Sequence, residues 1–180
     1  VTIGAVYTSG LGQMGVTSDY NIELTFTGAW SDADKLLMAQ AAEYISSVVI
    51  GDLPDVGAID DIAISVELAS IDGVGGVLAY AGFTGVRGDY MPTSGRAIFD
   101  LSDLGAQDPS LIVDVAVHEF LHAMGFGGLW NYMGLLSGAN DTLVFNGPSA
   151  TAAWQAISGD AGAAGAPVEA EAGDGTVGAH

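Results

Sequence analysis

The residues best able to do chemistry lie between Asp114 and Asn131, DVAVHEFLHAMGFGGLWN, where His118, Glu119 and His122 stand in the order H-E-x-x-H. On a helix, positions four apart are neighbours on one face, so His118 and His122 can offer both imidazoles to one metal ion. Glu119, turned about 100° from His118, is placed to hold a water on that ion rather than the ion itself, and would be the general base. The chain has no cysteine, so thiolate ligands, disulfides and cysteine nucleophiles are all excluded. A transition metal must then rely on His, Asp or Glu. The motif points to zinc, which lowers the pKa of bound water from about 15.7 to about 7 and polarises a carbonyl. The reaction implied is peptide-bond hydrolysis without a covalent intermediate, with Glu119 passing the proton of the water to the leaving amine.

H-E-x-x-H also occurs on ordinary amphipathic helices. Three features favour zinc here: the motif sits in a strongly apolar helix, Gly125 follows three positions after His122, and the chain has only three histidines. A hydrolytic zinc site generally takes three protein ligands. The extended form H-E-x-x-H-x-x-G is the metzincin signature, in which glycine lets the chain turn beneath the metal so that a later histidine can reach it. In the short-spacer version that histidine stands three residues after the glycine, where this chain has Gly128. The remaining histidine is His180, so a long insertion must fold out and return before supplying it. Glu169, Glu171 or Asp174 could instead complete a site of two histidines and one carboxylate.

The elements that must position these residues are legible upstream. In YNIELTFTG, apolar Ile22, Leu24 and Phe26 alternate with polar residues, the pattern of a half-buried strand. Ser31 with Asp34 three positions on makes a capping signature for a helix running to Gly51. IAISVELASI and VLAYAGF read as further strands, and RAIFDLS as a short edge strand. Asp108 and Pro109 open the motif helix as cap and first-turn proline, and Gly125 closes it. Its apolar stripe, Val113, Val117, Phe120 and Met124, would pack on the sheet and leave the histidines toward a cleft. Strands flanked by two helices predict an α+β fold with a mixed, twisted sheet. Beyond Trp130 the texture turns to Gly, Ala, Ser and Asn, with a weak helical pattern at SATAAWQAIS and a tail nearly structureless by pattern.

At this point three stretches, HEFLHAMGFGGLW, FNGPSATAAWQAI and PVEAEAGDGTVGAH, resemble the leishmanolysin-like metallopeptidases, whose third zinc histidine follows a long insertion after the glycine. The resemblance implies a metzincin-like zincin, with an N-terminal catalytic subdomain over residues 1–126 and an irregular insertion over 127–180 that begins the C-terminal subdomain. It implies that His118, His122 and His180 bind Zn2+, that Glu119 is catalytic, and that the protein is a secreted or surface endopeptidase acting on proteins and peptides. Well-known members of the family are rich in disulfides, which this chain lacks. Members also continue past the third histidine into a methionine-containing turn, so a sequence ending at His180 reads as a trimmed chain. A zinc-stabilised secreted interaction module that no longer cleaves is the alternative.

Gly95, Arg96, Ala97 and Ile98 resemble the edge strand over which metzincins lay an extended substrate, pairing by strand addition. Asp52, Asp55, Asp60 and Asp61 could hold Ca2+, but their spacing differs from the EF-hand loop, which favours a solvated acidic turn. Tyr132 reads as a wall residue, and Asp114, one turn before His118, as an exposed residue that could orient an imidazole.

Twenty-two acidic residues against three basic ones give a formal charge of -19. Such a surface repels phosphate backbones and anionic lipid, which argues against nucleic-acid and membrane partners. No apolar run reaches the eighteen or so residues of a membrane span. The first residues, VTIGAVYTSG, lack the basic start and long apolar stretch of a secretory signal.

Overall fold

The structure, a computed structural model, describes residues 2–139, 142–169 and 178–180. They form two compact units, Val1–Met124 and Gly125–His180. Together they make a mixed α+β chain with four helices.

The first unit is built from alternation and caps. In β2 (Ile22–Thr27), Ile22 and Leu24 are fully buried while Glu23 and Thr25 stay exposed. Ser31 accepts the Asp34 N–H and so caps α1 (Asp32–Val48). In β3 (Ile62–Ala69), Ile62, Ile64 and Val66 point into the core. Asp108 accepts the Ser110 N–H and, with Pro109 in the first turn, opens α3 (Pro109–Ala123).

The five-stranded sheet runs β1-β2-β3-β5-β4. β2, β3 and β5 (Pro92–Asp100) are parallel, while β1 (Val6–Thr8) and β4 (Ala79–Val86) join antiparallel at the two edges. A single helical turn, α2 (Leu101–Leu104), follows β5. Side chains of β2, β3 and β5 meet Met38, Ala42 and Ile45 of α1 and Ile112, Ala116 and Phe120 of α3 in one cluster. Phe26, Trp30, Phe99 and Phe120 form a chain of edge-to-face contacts through it, at 5.6, 5.9 and 6.4 Å. Each large side chain buried in this way contributes roughly 1.5–3 kcal/mol.

Two expectations are corrected here. The RAIFDLS segment is not an edge strand: β5 is paired with β3 on one side and with β4 on the other. Ala97, Ile98 and Phe99 are all buried, as suits an interior strand covered on both faces, and the chain turns helical at Leu101. The buried stripe of α3 is also rotated from the one expected. It comprises Ile112, Ala116, Phe120 and Ala123, with Val113, Val117 and Met124 only partly buried at its margin. Glu119, seven residues after Ile112 and four before Ala123, falls on this inward side.

The second unit has more order than its composition suggests. β6 (Leu136–Ser137), β7 (Val144–Phe145) and β8 (Ala166–Pro167) form a small antiparallel sheet in that order. α4 (Pro148–Ser158) ends at Gly159 in the left-handed conformation. Trp130 lies 4.7 Å, ring to ring, from both Phe126 and Phe145. Among the described residues, no helix is long and apolar enough to cross a membrane.

Candidate metal centre

The four-residue spacing on α3 has a direct geometric result. His118 Nε2 and His122 Nε2 lie 3.0 Å apart. The ring planes cross at 84° with centroids 4.6 Å apart, so the rings converge at their nitrogens rather than stack. Two nitrogens at zinc-ligand distance from one tetrahedral ion stand roughly 3.3 Å apart. The pair fits that requirement without rearrangement of the helix. Asp108, which caps the other end of α3, has its pKa lowered by hydrogen bonds from the Ser110 hydroxyl and N–H.

Glu119 is only 7% exposed, in contrast to exposed His118 one residue earlier. Burial shields its carboxylate from bulk water, a suitable setting for a group that must exchange a proton with one specific water. Both His118 and Glu119 open onto a cleft of about 440 Å³ also lined by Val77, Leu78, Ala79, Asp114 and Val115. The wall contributed by residues 77–79 is apolar. Asp114 is exposed at this cleft, and Tyr132, expected in a wall, is 67% exposed instead.

Within the second unit, His180 is held by the backbone. Glu169 N–H donates to the His180 carbonyl at 2.7 Å, and Gly178 N–H donates to the Glu169 carbonyl at 3.0 Å. Glu169 Oε2 lies 3.6 Å from His180 Nδ1, longer than a hydrogen bond. Glu169, a rival ligand by sequence, is thus a neighbour of the histidine. Glu171 and Asp174, the other rivals, lie outside the described residues. Gly127 is the residue that sequence reasoning missed. A Cβ there would stand 2.4 Å from the Ala179 carbonyl oxygen and 2.7 Å from its Cα, and the φ of +77° is itself in the range that favours glycine. Only a bare α-carbon lets the segment bearing His180 pass at this distance. Its nearness to the H-E-x-x-H run was the available signal.

A second group within the first unit, Asp52, Asp60 and Asp61, also brings its carboxylate oxygens close enough together to hold a metal ion. The acidic group is already engaged with its surroundings. Asp61 is fully buried and its two carboxylate oxygens accept N–H groups from Asn21 and Leu53 at 2.6 and 2.7 Å. Desolvation, followed by the charges of Asp61, Asp55 and Asp52, raises the pKa of Asp60. Arg87 ties the same loop down, donating to the Pro54, Asp60 and Asp61 carbonyls.

The residues assigned to substrate pairing are not available for it. Gly95 to Ile98 lie in β5, whose hydrogen-bonding edges are both occupied. Gly95 has a different reason to be glycine, since a Cβ would stand 2.6 Å from that of Ala123, where the strand meets the end of α3. Arg96 pairs with Glu67 across the neighbouring strand. The strand left at the sheet edge is β4, whose first residue, Ala79, reaches the cleft. No model of a known protein family matches the chain, and no curated protein matches it.

Proposed function

We propose that the chain is the catalytic part of a secreted zinc endopeptidase of the metzincin kind, similar to the leishmanolysin-like enzymes. The observation that carries the reading is the convergence of His118 and His122, whose Nε2 atoms lie 3.0 Å apart on α3 beside buried Glu119, with His180 assigned as the third ligand. Three imidazoles with a buried carboxylate next in sequence to one of them is a donor set suited to hydrolysis, because it leaves a fourth tetrahedral position open. Zinc bound there supplies a water of lowered pKa and polarises the scissile carbonyl.

The remaining work falls to the chain. His118 and His122 present Nε2 from one helical face, and His180 supplies the third imidazole, with Glu169 Oε2 3.6 Å from its Nδ1. Glu119 holds the attacking water, takes its proton as the carbonyl carbon is attacked, and delivers that proton to the amine nitrogen as the C–N bond breaks. The low exposure of Glu119 keeps this proton from leaking to solvent. An extended peptide adds as a further strand to the open edge of β4, which brings its backbone past Val77 to Ala79 and into the cleft. The excess of acidic residues suits a soluble protein in salty surroundings and disfavours acidic substrates.

Metal analysis combined with casein digestion tests the reading. The protein is expected to carry one zinc per chain and to lose digestion on chelation. Glu119→Gln is expected to retain zinc while turnover falls by about 10²–10⁴-fold, the usual contribution of a general base. Zinc retention without digestion in the unmodified chain would overturn the peptidase assignment in favour of a non-cleaving interaction module.

A further inference from the structure

Asp100 and Asp103 are carboxylates withdrawn from solvent, at 0% and 1% exposure, and the proposed chemistry uses neither. Asp100 stands where β5 gives way to α2. One of its oxygens caps α2 by accepting the Ser102 N–H at 2.6 Å. The other accepts three successive backbone N–H groups from a distant loop: Ile71 at 2.8 Å, Asp72 at 2.9 Å and Gly73 at 3.2 Å. Asp103 continues the pattern, taking the Gly75 N–H at 2.8 Å. Asp72 then accepts the N–H of Val77, and the Asp100 N–H donates to the Leu78 carbonyl at 2.9 Å. The loop running IDGVGGV therefore directs most of its backbone donors at carboxylates.

A buried carboxylate is costly unless hydrogen bonds compensate it, and charge-assisted N–H bonds are about twice as strong as neutral ones. These bonds hold the pKa of Asp100 well below the usual carboxylate range, Ser102 contributing most. The glycine-rich loop has little conformational preference of its own, so its shape is imposed by the carboxylates. It leads without interruption into Val77, Leu78 and Ala79, the apolar wall of the cleft that also contains His118 and Glu119.

We infer that Asp100 is a positioning residue: with Asp103 as a second anchor, it clamps the 71–77 loop and so fixes the cleft wall at Val77 to Ala79, governing how a substrate fits rather than the chemistry done on it. The kinetic part of this inference rests on the proposed peptidase activity; the clamp itself does not.

Asp100→Asn keeps the size of the side chain but removes the charge. The comparison is made on the zinc-loaded full chain by amide hydrogen exchange and by steady-state cleavage of peptides. Loss of charge-assisted bonds is expected to speed exchange across residues 71–78 by about tenfold or more while α3 amides are unchanged. KM should rise about fivefold or more with kcat within about twofold, since a displaced wall weakens binding in ground and transition states alike. Asp100→Glu, too long for the same three donors, should fail to rescue. A fall in kcat at constant KM, or faster exchange spread over β5 and α3, would reduce Asp100 to a merely structural residue and overturn the inference. So would unchanged exchange in the loop. If the unmodified chain cleaves nothing, the peptidase reading fails by itself and exchange alone decides: a local increase in 71–78 sustains the clamp, and its absence ends it.

Discussion

The two units hold their histidines by different means. In Val1–Met124, the position of His118 and His122 follows from a helix pressed on a layered core, where Ile112, Ala116 and Phe120 of α3 share one cluster with strands β2, β3 and β5. In Gly125–His180, strands are two residues long, α4 buries no residue completely, and the His180 segment makes two backbone hydrogen bonds with Glu169 and passes close to Gly127. The first arrangement is redundant, because many side chains would have to fail together. The second rests on local backbone contacts. The pairing of the His118 and His122 nitrogens should therefore outlast the placement of His180 under stress.

The largest effect should come from the layered core. Phe120→Ala removes a fully buried ring and is expected to cost about 3–5 kcal/mol of unfolding free energy, read by denaturant melts. A loss well under 1 kcal/mol would mean that the cluster is not the source of redundancy. Next in size is Gly127→Ala. Left-handed strain of about 1–2 kcal/mol adds to the overlap with Ala179. Zinc affinity, measured by competition with a chelator, should weaken by about tenfold or more, a change of 1.4 kcal/mol per decade. Affinity equal to that of the unmodified chain would show that the close passage of residue 179 is dispensable.

The smallest effect is a matter of pH and sharpens the contrast within the first unit. Asp100 and Asp108 have folded pKa values below their ordinary ones. Their contribution is therefore complete above the unfolded value of roughly 3.9 and is lost as pH falls toward the lowered folded values. Stability measured from pH 6 downward should be flat until about pH 4 and then decline. In Asp100→Asn the decline should be shallower. An equal slope in both proteins would assign acid sensitivity to other carboxylates.

Local signals in the sequence carried much of the first unit. The alternation around Ile22 and Leu24, the Ser31 cap and the Asp108-Pro109 start all act within a few residues, so each could be read without knowing the fold. The paired nitrogens of His118 and His122 were legible for the same reason. Strand order was not. An apolar run such as RAIF suits an edge or an interior position equally, and pairing partners are set by residues thirty positions away. The burial of Glu119 depended on which α3 stripe meets the sheet, and a helix this apolar offers more than one. β1 and the two-residue strands of the second unit are too short for any period, and the clamp around Asp100 joins segments nearly thirty residues apart.

The contact between Gly95 and Ala123 has one more implication. With an ideal β-carbon 2.6 Å from its counterpart, strand and helix already touch at the backbone, so even the smallest side chain would act as a shim. Such a shim would lift the last turn of α3 and tilt His122 relative to His118, changing the separation of the two ring nitrogens while His118, Glu119 and His122 themselves are left unaltered. That would give protein engineers a dial on the proposed metal site, set from the sheet side of the helix.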